Sequence, residues 1–559
     1  MNSVPIKTGV TLKTGVTLTS PEFGVVAAGL LLCVCAWWQR RQVHVVDSEP
    51  HQSRPTGQLG THPLRFGNIL SSLFCLMTIG GYAWAAESGF HPPVESQLLT
   101  IQRTLLLCGF LFSITIPNNP HSRNGRLAQQ GFFLMSLGGA LLLVIAEDLM
   151  VLMMAQELCW IPVLFLYLNG VHFEGTGDGR LKLVLSATLS TACTMFAISL
   201  VYFFTATTRI DGITSAFALL SAEGPSQLPL GSGLIVVGLM LAGIGIRIGM
   251  PPFHFGDTRL PRPQGTWCQG WSLIIGLTIL AVVGFRTVQF QPPHVGKSTE
   301  TLLFVLALVC LTLGNVRLIS ERRISAILAQ YTAMQLGILL CGLAIMAWVT
   351  TQNLHARLPA QAWADSVRVV LCTLTTAAVS LTGMIATLVY LRGRHAGDSQ
   401  NATLAHSTEL AGLATRHPWT ALCLAMCLMT LGGWPLTPGF WIRFRLLVGL
   451  QPLLMESPTV LALGLLILAN LVTAAVLTGR FLLTIFVNHP WGRLHTDGAR
   501  LAICSATFVA LTLLYAGVAP HAFTHWIQPT HTGLGISAPD ATTESNTKSQ
   551  NEHQPRKDR

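Results

Sequence analysis

The sequence has few charged residues. Only 10% of its 559 residues are Asp, Glu, Lys or Arg, whereas 51% are hydrophobic. A soluble domain carries about 25% charged residues, so this chain lacks the polar surface that it would need in water. The deficit excludes an ordinary soluble protein and indicates an all-α polytopic membrane protein, because many apolar runs approach the roughly 20 residues that cross a bilayer as a helix.

Motifs that bind nucleotides, metals or haem are also missing. The sequence contains no phosphate-binding loop, no GxGxxG segment after a strand and no haem-type ligand pair. Its 13 cysteines lack CxxC spacing. Scattered cysteines of this kind are typically small apolar residues that pack between helices. The alternative is that some of them bind a metal or an iron–sulfur cluster. We therefore expect no cofactor in this chain. No nucleic-acid motif accompanies the net charge of +10, so the lipid bilayer is the expected environment and nucleic acid is not an expected partner.

The sequence does contain fourteen apolar runs, each predicted to be a transmembrane helix. They lie at residues 21–38, 66–86, 98–117, 131–147, 149–170, 181–205, 233–254, 267–290, 301–318, 325–348, 369–391, 418–447, 458–487 and 501–519. An N-terminal extension, 1–20, precedes them. The polar composition of the tail, 520–559, predicts disorder.

Cations alternate between the predicted loops. The odd-numbered loops hold eighteen: Arg40, Arg41, Arg54, Arg65, Arg123, Arg126, Arg180, Lys182, Arg259, Arg262, Arg317, Arg322, Arg323, Arg392, Arg394, Arg416, Arg493 and Arg500. The even-numbered loops hold five: Arg209, Arg286, Lys297, Arg357 and Arg368. Cytoplasmic loops are enriched in Lys and Arg. We therefore expect cytoplasmic odd loops, both termini outside the cytoplasm, and a multi-pass location in a bacterial inner membrane.

Four ionisable residues within or beside the apolar runs are candidates for function, because such groups are costly in a membrane. They are Glu157, Lys182, Arg247 and Arg443. Glu157 has no aqueous flank nearby, so it is either half of a buried salt bridge that orients two helices or part of an ion or proton path. Lys182 lies near a helix start, where extension of the side chain to the membrane surface explains it equally well.

Prolines interrupt two predicted helices beside the buried arginines. Pro251 and Pro252 follow Arg247 in helix seven, and Pro435 and Pro438 precede Arg443 in helix twelve. Proline removes a backbone donor, and a broken helix is tolerated at membrane depth only where protein or internal water satisfies the freed groups.

The two breaks lie five helices apart, which predicts two inverted repeats. Helices four to eight, 131–290, would form the first repeat, and helices nine to thirteen, 301–487, the second. Helices one to three, 21–130, would be accessory N-terminal helices, and 501–519 the last helix. Broken helices at corresponding places of two repeats indicate an ion path near the membrane midplane.

Several segments together carry a family resemblance. They are TLTSPEFGVVAAGLLL, EDLMVLMMAQELCWIP, RLKLVLSATLS, GIGIRIGMPPFHFGD, GNVRLISERRISAILAQYTAMQLGILL and ELAGLATRHPWTALCLAMCLMTLGGWPLTPGFWIRF. The chain resembles, over nearly all of residues 15–520, the antiporter-like membrane subunits of the proton-translocating NADH–quinone oxidoreductase, respiratory complex I. This family is shared with Mrp-type cation/proton antiporters, and the segments are most similar to its subunit N branch.

The resemblance implies a membrane-arm subunit that couples quinone reduction by NADH to proton translocation, so that the chain is part of a translocase. It implies that NAD, quinone, FMN and iron–sulfur clusters belong to other subunits, and that the partners of this chain are other membrane-arm subunits. It places the family's glutamate on Glu157, its first lysine on Lys182, and its lysines of helices seven and twelve on Arg247 and Arg443. His254 is a weaker candidate from the PFH segment.

Two departures from the family pattern leave three functions open. Arginine remains protonated, so Arg247 and Arg443 would be fixed charges, with Glu157 and Lys182 as the groups that titrate. The family's helix-eight lysine falls near Leu277, which cannot carry a proton. The alternatives are a working or partly working subunit, an assembled subunit that no longer conducts, and a cation/proton antiporter without a redox partner.

Overall fold

The computed structural model is almost entirely helical in the residues that it describes. These are 24–35, 76–81, 96–116, 125–170, 178–222, 232–253, 263–290, 296–353, 360–393, 406–454, 458–489, 494–495 and 500–521. The predicted N-terminal extension and nearly all of the predicted tail lie outside the described residues.

Seventeen α-helices are found in this part of the chain. They are α1 Gly24–Cys35, α2 76–81, α3 Ser96–Ile114, α4 Gly125–Ile145, α5 Leu149–Gly170, α6 Asp178–Thr205, α7 Ile210–Ala222, α8 Ser232–Ile248, α9 Pro263–Phe290, α10 Gly296–Ser320, α11 Ile324–Asn353, α12 Ala360–Tyr390, α13 Leu413–Arg416, α14 Pro418–Gly432, α15 Pro438–Leu454, α16 Pro458–Phe486 and α17 Arg500–Val518.

The helices confirm the polytopic, all-α prediction. Each of the fourteen predicted runs contains helix, and nine helices of the described residues are long and apolar enough to cross a membrane. The short helix α7 was not predicted, because its 13 residues are fewer than the roughly 20 that a membrane-spanning run needs. The described residues also contain a two-residue antiparallel pair, β1 Arg392–Gly393 with β2 Leu494–His495.

The long helices sort into an interior and a rim. The apolar windows of α11 and α12 are 100% buried within the chain, and that of α9 is 94% buried, whereas those of α6 and α16 are only 28% buried. Apolar side chains therefore meet one another around α9, α11 and α12, and the exposed faces of α6 and α16 are left for lipid or for other proteins.

Two isolated β-bridges support the predicted repeat. Asp148, between α4 and α5, pairs with Arg209 after α6, and Arg323, between α10 and α11, pairs with His406 after α12. Each bridge joins the turn between the first two helices of a repeat to the segment after the third. Because an offset of five helices is odd, equivalent turns lie on opposite membrane faces. The boundaries assigned to the repeats stay predictions.

Contacts between connecting segments agree with the predicted helix count. The Asp148–Arg209 bridge joins loops four and six, and the Arg323–His406 bridge joins loops nine and eleven. The β1–β2 pair joins loops eleven and thirteen. Loops of equal parity share a membrane face, so a helix missed between any two partners would have separated them by the thickness of the membrane.

Both proline-containing helices end where the sequence predicts a break. Helix α8 ends at Ile248, and Gly249–Phe253 is non-helical, while the next residues lie outside the described part. Helix α14 ends at Gly432 and α15 begins at Pro438, so the twelfth predicted helix is two helices. Gly433 has a φ of +75° at this break, a conformation that glycine adopts at little cost.

Replacing Gly433 with alanine is expected to lower stability by about 1–2 kcal/mol, because an L-residue in the left-handed region is strained. A Cβ there would also meet the Arg443 side chain. Gly238, inside α8, has nothing within 4 Å of its potential Cβ. Gly238→Ala is therefore the control and is expected to be neutral or mildly stabilising. Thermal unfolding in detergent measures both variants, and equal melting temperatures would contradict this account of the break.

Candidate functional site

The structure brings together two of the predicted site residues, Glu157 and Arg247. Glu157 lies in the middle of α5, and Arg247 lies in the last turn of α8. Arg247 Nη2 donates a short hydrogen bond to Glu157 Oε1, and the side chain of Arg247 is 0% exposed while that of Glu157 is 21% exposed. The carbonyl end of a helix favours a nearby cation. A buried arginine is therefore neutralised by a carboxylate that still reaches one surface of the chain.

Two hydroxyl groups of α6 add hydrogen bonds to this pair, while Arg247 Nη1 is buried without a partner among the described residues. Arg247 Nε donates to Ser190 Oγ at 2.9 Å, and Arg247 Nη2 also donates to Thr191 Oγ1 at 2.8 Å. Thr191 Oγ1 donates a hydrogen bond to Glu157 Oε1 at 2.9 Å. Ser190 Oγ donates onward to the carbonyl of Gly243 at 2.6 Å. Three helices, α5, α6 and α8, thus meet at one charged cluster.

A cavity of about 500 Å³ extends from Arg247 to the connection between α10 and α11. Its wall near that connection is charged: Arg317, Glu321 and Arg323. The small side chains of Ala326, Ala329 and Ala333 on α11 leave the space open. The remaining lining includes polar and aromatic side chains: Ser186, Gln269, Ser272, Ser325, Gln330, Trp160 and Tyr167. A polar cavity of this size is large enough for water. It reaches Arg247, whereas Glu157 is not among its lining residues.

Arg443 has a different environment from Arg247. Its Nη2 donates to the carbonyl of Leu431 at 2.6 Å, and its Nη1 donates to the carbonyl of Gly439 at 3.2 Å. Gln335 Nε2 donates to the same Leu431 carbonyl at 2.8 Å. Within the described residues, Arg443 forms no ion pair with a carboxylate. The guanidinium therefore supplies a donor to the Leu431 carbonyl, which lies in the last turn of α14 and has no intrahelical partner there.

The structure does not bring the other predicted site residues into the cluster. Lys182 is exposed near the start of α6, and its role stays a prediction. His254 lies outside the described residues. Leu277 is 0% exposed in α9 between Ile274 and Leu280, which are also 0% exposed. The side chain at the position where the resembling family carries a lysine is therefore fully buried among apolar residues of α9.

Sequence reasoning missed the hydroxyls of Ser190 and Thr191. The segment SATLSTACT contains five Ser or Thr residues in nine, which was a signal that a face of α6 is polar. Most hydroxyls in helices bond to their own backbone, so composition could not identify the two that reach Arg247. No group of three or more His, Cys, Asp or Glu residues in the described part of the chain could hold a metal ion.

A buried ion pair and two broken helices in a polytopic membrane protein are typical of subunits that move ions or protons. The chain belongs to the family described as NADH:quinone oxidoreductase/Mrp antiporter, TM, which it matches over residues 146–478, more than half of its length. It is a multi-pass membrane protein.

Relatives within this family include NADH-quinone oxidoreductase subunit N 2 of Roseiflexus castenholzii, 26% identical over 56% of this chain and 59% of the relative. NADH-quinone oxidoreductase subunit N of Geobacillus sp. is 25% identical over 76% of this chain and 83% of the relative. The aligned part spans less than two thirds of the Roseiflexus relative.

Solved structures share the fold. A chain of respiratory complex I from Thermus thermophilus matches with a TM-score of 0.62 at 16% identity, covering 90% of this chain and 98% of that chain. A chain of the Mrp complex from Dietzia sp. matches with a TM-score of 0.64 at 14% identity, covering 96% of this chain and 55% of that chain. The similarity thus extends to both respiratory and antiporter assemblies.

Proposed function

We propose that this chain is a proton-translocating membrane-arm subunit of a bacterial NADH–quinone oxidoreductase, of the subunit N type. The observation that carries the proposal is the Glu157–Arg247 ion pair, whose buried arginine lies at the inner end of a polar cavity. Membership of the family and the relatives named subunit N support it. NAD, quinone, FMN and iron–sulfur clusters would be held by other subunits, and this chain would contribute no redox centre.

In this proposal Glu157 is the group that gains and loses the proton. Arg247 remains charged, stabilises the carboxylate and orders water, because a guanidinium does not release its proton at physiological pH. Water in the cavity would bring a proton as far as Arg247, and the neighbouring carboxylate of Glu157 accepts the proton and later donates it. The driving force comes from quinone reduction elsewhere in the complex. Arg443 serves as a fixed charge that holds the α14–α15 break together.

The cavity would open toward the cytoplasm of a bacterial inner membrane. Arg317 and Arg323 line it near the connection between α10 and α11, which is one of the loops that the cation distribution assigns to the cytoplasm. The corresponding turn of the first repeat carries Glu147 and Asp148 instead. This opposite charge at equivalent turns supports inverted repeats with both chain termini outside the cytoplasm.

Another membrane-arm subunit would cover the outer face of α5. Met150, Met154, Ile161 and Phe165 are 45%, 71%, 46% and 45% exposed and form a stripe at helical spacing. Glu157 lies on the same stripe with its side chain 21% exposed. A carboxylate edge at membrane depth is unfavourable against lipid, so a protein partner suits this face better.

Two other functions each have an observation in their favour. The buried apolar position of Leu277 and the carbonyl partners of Arg443 suit an assembled subunit that does not conduct. The fold shared with the Mrp complex suits a cation/proton antiporter. Proton translocation by the unmodified complex would exclude the first. Absence of sodium-driven proton exchange in vesicles without NADH would exclude the second.

Co-purification tests the assembly that the proposal requires. The full-length chain is tagged at its C-terminus, the membrane is solubilised in mild detergent, and the captured proteins are identified. We expect flavin- and iron–sulfur-containing subunits together with NADH–quinone reductase activity. Capture of membrane subunits alone, with sodium-driven proton exchange in vesicles, would contradict the proposal and favour the antiporter.

A further inference from the structure

The hydroxyl of Thr191 lies between two possible acceptors. Its Oγ1 is 2.9 Å from Glu157 Oε1 and 3.0 Å from the carbonyl oxygen of Ala187, and it accepts from Arg247 Nη2 at 2.8 Å. A threonine hydroxyl has one proton to donate and two lone pairs. Its proton can therefore go to Glu157 or to Ala187, but not fully to both.

We propose that Thr191 is a positioning residue that redirects its hydroxyl proton as Glu157 changes its protonation state. When Glu157 is ionised, the carboxylate accepts from Thr191 and from Arg247. When Glu157 is protonated, its new O–H needs an acceptor; Thr191 Oγ1 accepts it and turns its own proton to the Ala187 carbonyl. The change is a rotation about the Cβ–Oγ1 bond, so Thr191 neither gains nor loses a proton.

Neighbouring hydroxyls cannot take this role. Ser190 Oγ already accepts from Arg247 Nε and donates to the Gly243 carbonyl. Thr188, one turn earlier in α6, is exposed and donates to the carbonyl of Leu185 at 3.0 Å. Thr191 is thus the α6 hydroxyl, among those described, that contacts both members of the ion pair.

The charged and titratable groups around Glu157 are few. Arg247 faces it from α8, and Cys159 on α5 lies within the electrostatic influence of both residues. The other charged residues on or beside the elements packed against α5 and α6, among those described, lie toward helix ends: Arg126, Glu147, Asp148, Asp178, Arg180, Lys182, Arg209, Asp211 and Arg286. Lys182 is nine residues before Thr191, which is about 14 Å along a helix.

Infrared difference spectroscopy of the purified whole complex tests this inference. The C=O band of protonated Glu157 is first assigned by its loss in Glu157→Gln, and its appearance is then followed against pH. Thr191→Val keeps the shape of the side chain and removes the hydroxyl. We expect the band to appear about one to two pH units higher in this variant, since one hydrogen bond to the charged form is lost. Thr191→Val also removes the acceptor for the O–H of protonated Glu157, which lowers the pH of appearance. This opposing effect is smaller, because a hydrogen bond to the charged carboxylate is stronger than one to the neutral acid.

Matched variants separate this role from a structural one. Thr191→Ser retains the hydroxyl and is expected to keep the wild-type pH dependence, and Thr188→Val is expected to leave the band unchanged. If Thr191→Val does not assemble, Thr191→Ala removes the hydroxyl without adding bulk at Cβ. A wild-type pH dependence in the variant that lacks the hydroxyl would overturn the inference.

The inference rests on the proposed function, yet the two can fail separately. A loss of proton translocation in Glu157→Gln, combined with an unshifted band in Thr191→Val, would overturn only the role of Thr191. An unchanged proton-per-electron ratio in Glu157→Gln, combined with a shifted band, would overturn only the translocation role of Glu157.

Discussion

Replacing Arg247 with leucine is expected to remove most of the assembled subunit from the membrane. The change leaves the carboxylate of Glu157 at membrane depth without its cation, and breaking a buried ion pair by removing one partner costs about 3–5 kcal/mol. It also removes the hydrogen bond that Arg247 Nε donates to Ser190 Oγ. The amount of folded subunit and its melting temperature in detergent measure the effect.

A second substitution distinguishes the ion pair from a simple loss of packing. Arg247→Leu combined with Glu157→Gln removes both charges and is expected to recover much of the lost stability, as coupled residues do in a double-mutant cycle. Arg368 provides the control, because it pairs with Asp365 at 2.7 Å and Asp365 is 63% exposed. Arg368→Leu is expected to cost less than about 1 kcal/mol. Equal losses for Arg247→Leu and Arg368→Leu would contradict the buried pair.

Placing a lysine at Leu277 is expected to prevent normal assembly rather than to restore a proton relay. Leu277 is 0% exposed, and Ile274, Ile275 and Leu280 are equally buried. A charge without a partner in such surroundings costs several kcal/mol. Leu277→Met conserves volume and is expected to cost less than about 1.5 kcal/mol. The assembled amounts of the two variants are compared; a Leu277→Lys subunit that assembles like wild type would show that water reaches the centre of α9.

The sequence was sufficient to predict the long helices, because a run of about 20 apolar residues has few other structures available in a membrane. The breaks were also predictable, since Pro251 and Pro435 prevent continuous helix where they stand. Helix α7 was not predictable in this way. It spans only Ile210–Ala222, and it follows the bridge between Arg209 and Asp148, a contact of residues far apart in the sequence.

The charged members of the site could be predicted, but their partners could not. A charged side chain within an apolar run requires a partner of opposite charge or contact with water. The sequence therefore predicted for Glu157 either a salt bridge or a place in an ion or proton path. The carbonyls of Leu431 and Gly439 that hold Arg443 have no sequence signature, because every residue has a carbonyl. The Leu431 carbonyl becomes available only because α14 ends at Gly432.

The central claim is that Glu157 carries a translocated proton while Arg247 remains a fixed charge. The most direct test is the number of protons moved per electron when the whole complex, reconstituted in sealed vesicles, oxidises NADH with quinone. Glu157→Gln keeps the shape of the side chain and one acceptor oxygen but cannot release a proton. We predict a lower proton-per-electron ratio per assembled complex in this variant. Because Arg247 loses its carboxylate, we also expect a smaller amount of assembled subunit, so the ratio is normalised to the amount of assembled complex. An assembled Glu157→Gln complex with the wild-type ratio would contradict the claim.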